Sequence, residues 1–137
     1  MDDSGEAGYI SAVVYILIVV LTLMLMLDSL SLVVTKQKLD TAADQLTRQI
    51  QLAGKVDDDT EDLFAYLTQD LPDTESIVYT VDSAFITKSG CNKAIQLGTP
   101  FYVTVTAQSK LGSFLGSVGI PVTLHSRCCG VSERYWK

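Results

Sequence analysis

No lysine or arginine precedes Lys36, so the first quarter of this 137-residue chain carries no positive side chain. A cleaved secretory signal begins with a basic segment, and that absence argues against one. Histidine occurs once, as His125. A Ser-His-Asp site would rest on that one ring, and no Gly-x-Ser-x-Gly elbow is present to present a nucleophile. Cysteine occurs three times, as Cys91, Cys128 and Cys129. That is too few for a scaffold built from disulfides. Adjacent Cys128 and Cys129 also lack the Cys-x-x-Cys separation of a zinc site, so Cys91, Cys128, Cys129 and His125 are not expected to hold a metal. Phosphate-binding loops and dinucleotide fingerprints are missing, as are internal repeats. The net charge is -6, which excludes nucleic acid as an expected partner. An enzyme is not expected, nor any cofactor or small-molecule substrate.

What the chain does have is one long apolar run, Ala7 to Leu27. As a helix of roughly 21 residues it spans ~31 Å, about the hydrocarbon thickness of a bilayer. About a dozen of its residues are Leu, Ile or Val. Each favours insertion by ~0.3 to 0.6 kcal/mol, so the run as a whole favours lipid by several kcal/mol. Apolar residues cover every face, and the remaining hundred or so residues make one small domain that could not wrap such a helix. Tyr9 falls where an interfacial aromatic is favoured.

The run does not end at a helix breaker. Asp28 and Ser29 are followed by more apolar residues, and from Leu39 a stripe appears: Leu39, Ala43, Leu46, Ile50, Ala53. Steps of four and three mark one helical face. With no Pro or Gly before Gly54, one helix is expected from Ala7 to Ala53. Asp57, Asp58 and Asp59 lack the remaining ligands of a calcium loop; Asp58 with Glu61 fits a capping box instead. A second helix is expected over 60–70, with Leu63, Phe64, Leu67 and Leu71 on one face and Pro72 as its stop.

Beyond Asp73 the period becomes two. Strands are expected over 76–82, 91–97, 101–108 and 120–127, with 84–87 either extending the first strand or starting a turn. Ile77, Tyr79, Val81, Ile95, Leu97, Phe101, Val103, Val105, Ala107, Ile120, Val122 and Leu124 are expected to face inward, and His125 outward. Lys88-Ser89-Gly90 and Gly98-Thr99-Pro100 read as turns. Residues 110–119 fit a short helix or a compact apolar loop. Pro121 marks an edge strand. The expected fold class is α+β: a long N-terminal helix packed on a sheet of three or four mostly antiparallel strands. The expected divisions are a polar N-terminus (1–6), a transmembrane segment (7–27), its amphipathic continuation (28–54) and an α+β domain (55–137).

Gly5-Glu6-Ala7-Gly8-Tyr9-Ile10, Lys36 to Asp44, and the closing Gly130-Val131-Ser132-Glu133-Arg134-Tyr135-Trp136-Lys137 carry a resemblance. The chain resembles the type IV pilin-like proteins, among them the small TadE-like pilins, and more narrowly an uncharacterised pilin-like family of Gram-positive conjugative elements. The architecture covers the whole chain and these motifs about a quarter of it. The resemblance implies cleavage after a glycine, with Gly5, Glu6 and Gly8 as the processing region. It also implies a glutamate five residues past the cut. Here that position is Ile10 or Val13, so the carboxylate is missing, as is a basic leader. Either the leader is incomplete in this sequence, or processing differs, or there is none.

The expected function is structural. The N-terminal helix anchors the chain in a membrane and associates with copies or other pilin-like subunits, in a pilus or pseudopilus-like filament of a conjugation or secretion system. The alternative is a bitopic accessory component, or an anchored binding module with the sheet or the Tyr135-Trp136 tail as contact surface. Gly8, Ser11 and Ala12 form a small-residue patch suited to close helix packing. Asp28, one residue past the run, is a candidate for pairing across subunits, since a charge buried in a bundle needs a partner. A disulfide from Cys91 to Cys128 or Cys129 is expected if the domain is extracellular. Lys36 and Lys38 on the C-terminal side favour an internal domain by the positive-inside rule. The resemblance favours an external one, which is the placement expected here.

Overall fold

The computed structural model describes residues 3–71, 74–88, 91–112 and 119–137, and of 3–7, 88, 91 and 92 the backbone alone. α1 (Asp3–Ala53) is one unbroken helix of 51 residues. Its interior has no proline, and it passes through Asp28 without interruption. It stops at Gly54, which takes φ +64°, a conformation costly for residues with a Cβ. The Gly54 N–H still donates to the Ile50 carbonyl at 2.8 Å.

α2 (Asp58–Thr68) begins two residues earlier than its apolar pattern suggests. Asp57, not Asp58, is the residue at its N-cap, so the expected Asp58–Glu61 box is not made. The Asp57 carboxylate instead pairs with Lys55 and accepts from the Thr60 hydroxyl. Its acidity is set by opposing influences: burial pushes it up, and Lys55 and Thr60 more than offset this, leaving it lowered. The expected stop at Pro72 lies outside the described residues.

Five strands follow: β1 (Thr74–Ser83), β2 (Phe85–Lys88), β3 (Cys91–Ile95), β4 (Pro100–Leu111) and β5 (Ile120–Val131). They form two sheets rather than one. A three-stranded antiparallel sheet has the order β1-β4-β5, and β2 pairs with β3 as a separate hairpin. β4 and β5 run in continuous register from Pro100↔Val131 to Leu111↔Ile120. β5 is an edge strand, consistent with Pro121 at its start. Residues 89–90 of the expected turn, and 113–118 of the expected helix or loop, lie outside the described residues.

The core lies between the sheet and the two helices. Leu39, Ala43, Leu46 and Ile50 from α1 meet Phe101, Val103, Val105 and Ala107 from β4, all fully buried. Leu63 and Phe64 of α2 close the β1 side, where the Phe64 and Tyr79 rings lie 4.7 Å apart. Two expected core residues are exposed instead. Leu97 follows the end of β3, and Ile120 opens β5. Alternation sets which face a residue takes, but not whether another element covers that face at a strand end.

At the end of the domain next to Gly54, the chain is tied by many bonds. Ile95 N–H donates to the Gly54 carbonyl at 2.8 Å, and Val56 N–H to Lys93 at 3.0 Å. The tail returns to the same place. The Trp136 indole N–H donates to the Gly54 carbonyl at 2.9 Å, and the Arg134 guanidinium lies over the Trp136 ring. Trp136 is therefore partly committed to the fold, while Tyr135 remains exposed.

Candidate functional site

α1 is divided by what surrounds it. Every residue from Gly8 to Leu27 is exposed. Burial begins at Asp28, and the first fully buried side chain is Thr35. The exposed part is long and apolar enough to cross a membrane, and none of it is buried inside the chain. Its twenty or so residues rise ~30 Å. The Thr22 and Ser29 hydroxyls donate to the carbonyls of Ile18 and Leu25, each four residues back. These polar groups would thus be satisfied without water in a bilayer.

Gly8, Ser11 and Ala12 all lie on this exposed stretch. A Cβ built on Gly8 meets nothing within 4 Å, so the patch is open to a neighbour. Gly5 and Glu6 have helical backbone, and the Glu6 side chain lies outside the described residues.

Asp28 sits at the junction, and its partner is in its own chain. The Gly112 N–H, just past the end of β4, donates to Asp28 Oδ2 at 2.8 Å. The carboxylate that the sequence suggested for pairing between subunits therefore bonds to the sheet. From there β5 runs alongside α1. Lys36 Nζ donates to the His125 carbonyl at 2.7 Å, and the Ser126 hydroxyl to Asp40 Oδ1 at 2.6 Å. At Gly130 the space is so tight that a Cβ would come within 2.8 Å of Thr47 on α1 and 2.6 Å of Phe101 on β4. The Asp40 carboxyl is held below the usual carboxylate range, first by the Lys36 ammonium and then by Ser126. The Lys36–His125 and Asp40–Ser126 ties had no sequence signal, because each joins residues more than 80 apart.

The expected disulfide is not made in this structure: Cys128 and Cys129 are both free thiols. Neighbouring residues on a strand point to opposite faces. Cys128 is half-buried toward α1, and burial, with Asp44 and Asp40 nearby, pushes its thiol up. Cys129 is exposed on the outer face beside Tyr102 and Arg127, whose guanidinium stacks on the Tyr102 ring. The Cys91 side chain lies outside the described residues. His125 is exposed on the same outer face, its Nδ1 3.1 Å from the Thr106 hydroxyl. Among the described residues no three His, Cys, Asp or Glu side chains come together to hold a metal.

The geometry as a whole is an exposed apolar rod rigidly continuous with a small sheet domain. A family model for a domain of unknown function, DUF4320, matches residues 16–137. The chain belongs to the DUF4320 family. The DUF4320 match takes in the second half of the apolar run, the junction at Asp28 and the whole sheet domain through the Trp136 tail. No curated protein and no solved structure matches the chain.

Proposed function

We propose that this DUF4320 protein is a membrane-anchored, pilin-like structural subunit. Its N-terminal helix holds it in the bilayer and packs with copies of itself or with similar subunits in a filament or pseudopilus of a secretion or conjugation machine. The observation that carries the reading is the contrast within α1: residues 8–27 find no cover in their own chain, and the next 26 are packed on a sheet. An unbroken helix lets the apolar half transmit force and register to the domain. The open patch at Gly8, Ser11 and Ala12 allows close backbone approach of a second helix. The resemblance to small TadE-like pilins supports the same reading and favours an external domain.

Electron microscopy of material sheared from cells tests assembly. Filaments that label with antibody against the sheet domain are expected; their absence, with the protein intact in the membrane fraction, would overturn the filament. Mass spectrometry of the native N-terminus adds a second readout, because cleavage after Gly5 or Gly8 is the outcome expected of a processed pilin. Placement is tested at Cys129, which is exposed: a membrane-impermeant maleimide is expected to label it in intact cells. Labelling only after lysis would place the domain inside.

A bitopic accessory component that does not polymerise is the second reading. One observation favours it: Asp28 is occupied by Gly112 and is not left waiting for a neighbouring subunit.

A further inference from the structure

The polar boundary of α1 is oblique. On the side that faces the sheet it comes at Asp28, which is bonded to the Gly112 N–H. On the opposite side the apolar surface goes on: Leu30, Val33 and Val34 are 59%, 53% and 44% exposed. Steps of three and four from them lead to Gln37 and Thr41, exposed and uncharged, and the first ionisable group on that line is Asp44. These three side chains continue the surface of residues 8–27 with no charge between on that side. Alone they fall far short of the ~800 Å² a side that a stable protein interface takes. Val34 lies ~10 Å beyond Leu27 along the axis, and Tyr9 to Val34 spans ~38 Å against ~30 Å of hydrocarbon. A stretch longer than the hydrocarbon is accommodated by tilt. The side on which it is longer sets the direction of the lean. Tyr66 of α2, exposed, lines the same shallow groove as Val34 and Lys38. Tyrosine and lysine are side chains that suit the headgroup level. The two flanking ammoniums are already bonded, Lys36 to Asp40 and the His125 carbonyl, Lys38 to the Asp70 carbonyl.

We propose that α1 leans in the bilayer with the side opposite the sheet turned toward the lipid, so that Leu30, Val33 and Val34 rest on phospholipid at the boundary of headgroups and acyl chains. The contact rests on the membrane reading of α1. It lifts the sheet off the bilayer and leaves its outer face, with His125 and Arg127, in water. The Lys36–His125 bond puts position 125 within a turn of the height of Val34, so the lean separates two sites that an upright helix would hold level. Because the contact is apolar and Asp70 lines the adjoining groove, phosphatidylcholine suffices and anionic lipid is not required.

The full chain, with Cys91, Cys128 and Cys129 replaced by serine, is spin-labelled at single cysteines and reconstituted in phosphatidylcholine vesicles. The substitutions are Leu17→Cys, Val34→Cys, Arg48→Cys and His125→Cys, all at exposed positions. Power saturation compares collisions with oxygen, which enters lipid, and with a water-soluble nickel chelate. Oxygen is expected to lead several-fold at 17 and still to lead at 34, while nickel leads at 48 and 125. Oxygen ahead at 17 with nickel ahead at 34 overturns the contact and leaves the anchor standing. A label at 34 shielded from both reagents also overturns it, since protein, such as a second copy, would then cover this face. Oxygen ahead at 125 means that the chain leans the other way. Nickel ahead at 17 removes the anchor itself, and the contact with it. Val34→Trp in the chain with its native cysteines gives an independent reading. Lipid brominated near the headgroups is expected to quench its emission beyond that of the wild-type chain, whose one tryptophan is Trp136. Quenching no greater than in the wild-type chain overturns the contact.

Discussion

The two halves of α1 share one backbone and differ only in what their side chains meet. From Gly8 to Leu27 every face is apolar and every residue exposed; from Asp28 onward one face becomes buried, and the exposed faces carry charged and polar residues together with Leu30, Val33, Val34 and Leu52. Backbone hydrogen bonds are satisfied inside the helix in both halves, so the backbone does not distinguish them. The difference teaches that α1 carries two separate free energies: transfer into lipid for its first half and packing on the sheet for its second. Each can be damaged without the other, and that separation is open to test.

The largest effect is expected in the packed half. Leu46→Ala removes a fully buried side chain from the centre of the α1–β4 contact and should cost ~2 to 5 kcal/mol. Thermal unfolding followed by near-ultraviolet circular dichroism in detergent would show a lowered midpoint, while vesicle flotation should be unchanged. The mirror experiment is Leu17→Arg, in the middle of the exposed half. A charge at a helix centre costs ~2.5 to 3.5 kcal/mol of insertion. Flotation should fall and the unfolding midpoint of the sheet domain should stay. If either substitution moved both readouts alike, the two halves would not be independent.

The junction comes next. Asp28→Ala leaves the Gly112 N–H without its acceptor and should cost ~1 to 3 kcal/mol. Hydrogen exchange should quicken at Gly112 and the adjoining end of β4 before it does so near Gly54. Asp28→Asn, which keeps an acceptor oxygen, should lose less. Equal exchange rates in all three proteins would mean that the bond does not hold the hairpin end.

The smallest effect is electrostatic. Asp40 is mostly exposed, so its tie to Lys36 and Ser126 is screened. Its carboxyl titrates lower in the folded chain than in the unfolded one. Its contribution is therefore fully present above the unfolded value of about 4 and is lost as pH falls through the lower folded value. Unfolding midpoints measured from neutral to acid pH should show a slightly shallower acid decline in Asp40→Asn than in the wild-type chain.

What could be read without coordinates divides along the same line. Period alone found the stripe Leu39, Ala43, Leu46, Ile50 and the β4 face Phe101, Val103, Val105, Ala107, because both are local patterns with a buried side. The same rule misplaced Leu97 and Ile120, where the pattern continues past the cover. It also counted β3 with the main sheet and left residues 84–87, most of which form β2, as an extension of β1 or a turn, since pairing partners are not a local property. Gly54 was legible as a stop, but not as the acceptor for Trp136, 82 residues away. Asp28 drew notice as a charge beside an apolar run. Its partner did not, because nothing about Gly112 announces an amide that faces a helix. A lone tryptophan in an otherwise polar tail was the one available signal that the C-terminus returns to the fold.

The central claim is that the two halves form one straight helix in the membrane-bound protein. Spin labels at positions 17 and 41, in a chain whose native cysteines are replaced by serine, measure it directly by pulsed electron resonance in vesicles. Twenty-four residues of continuous helix predict a separation of ~36 Å between the labelled backbone positions, with a narrow distribution. A distance much shorter than this, or two populations, would mean that α1 breaks near Asp28 and folds back, and the account would fail.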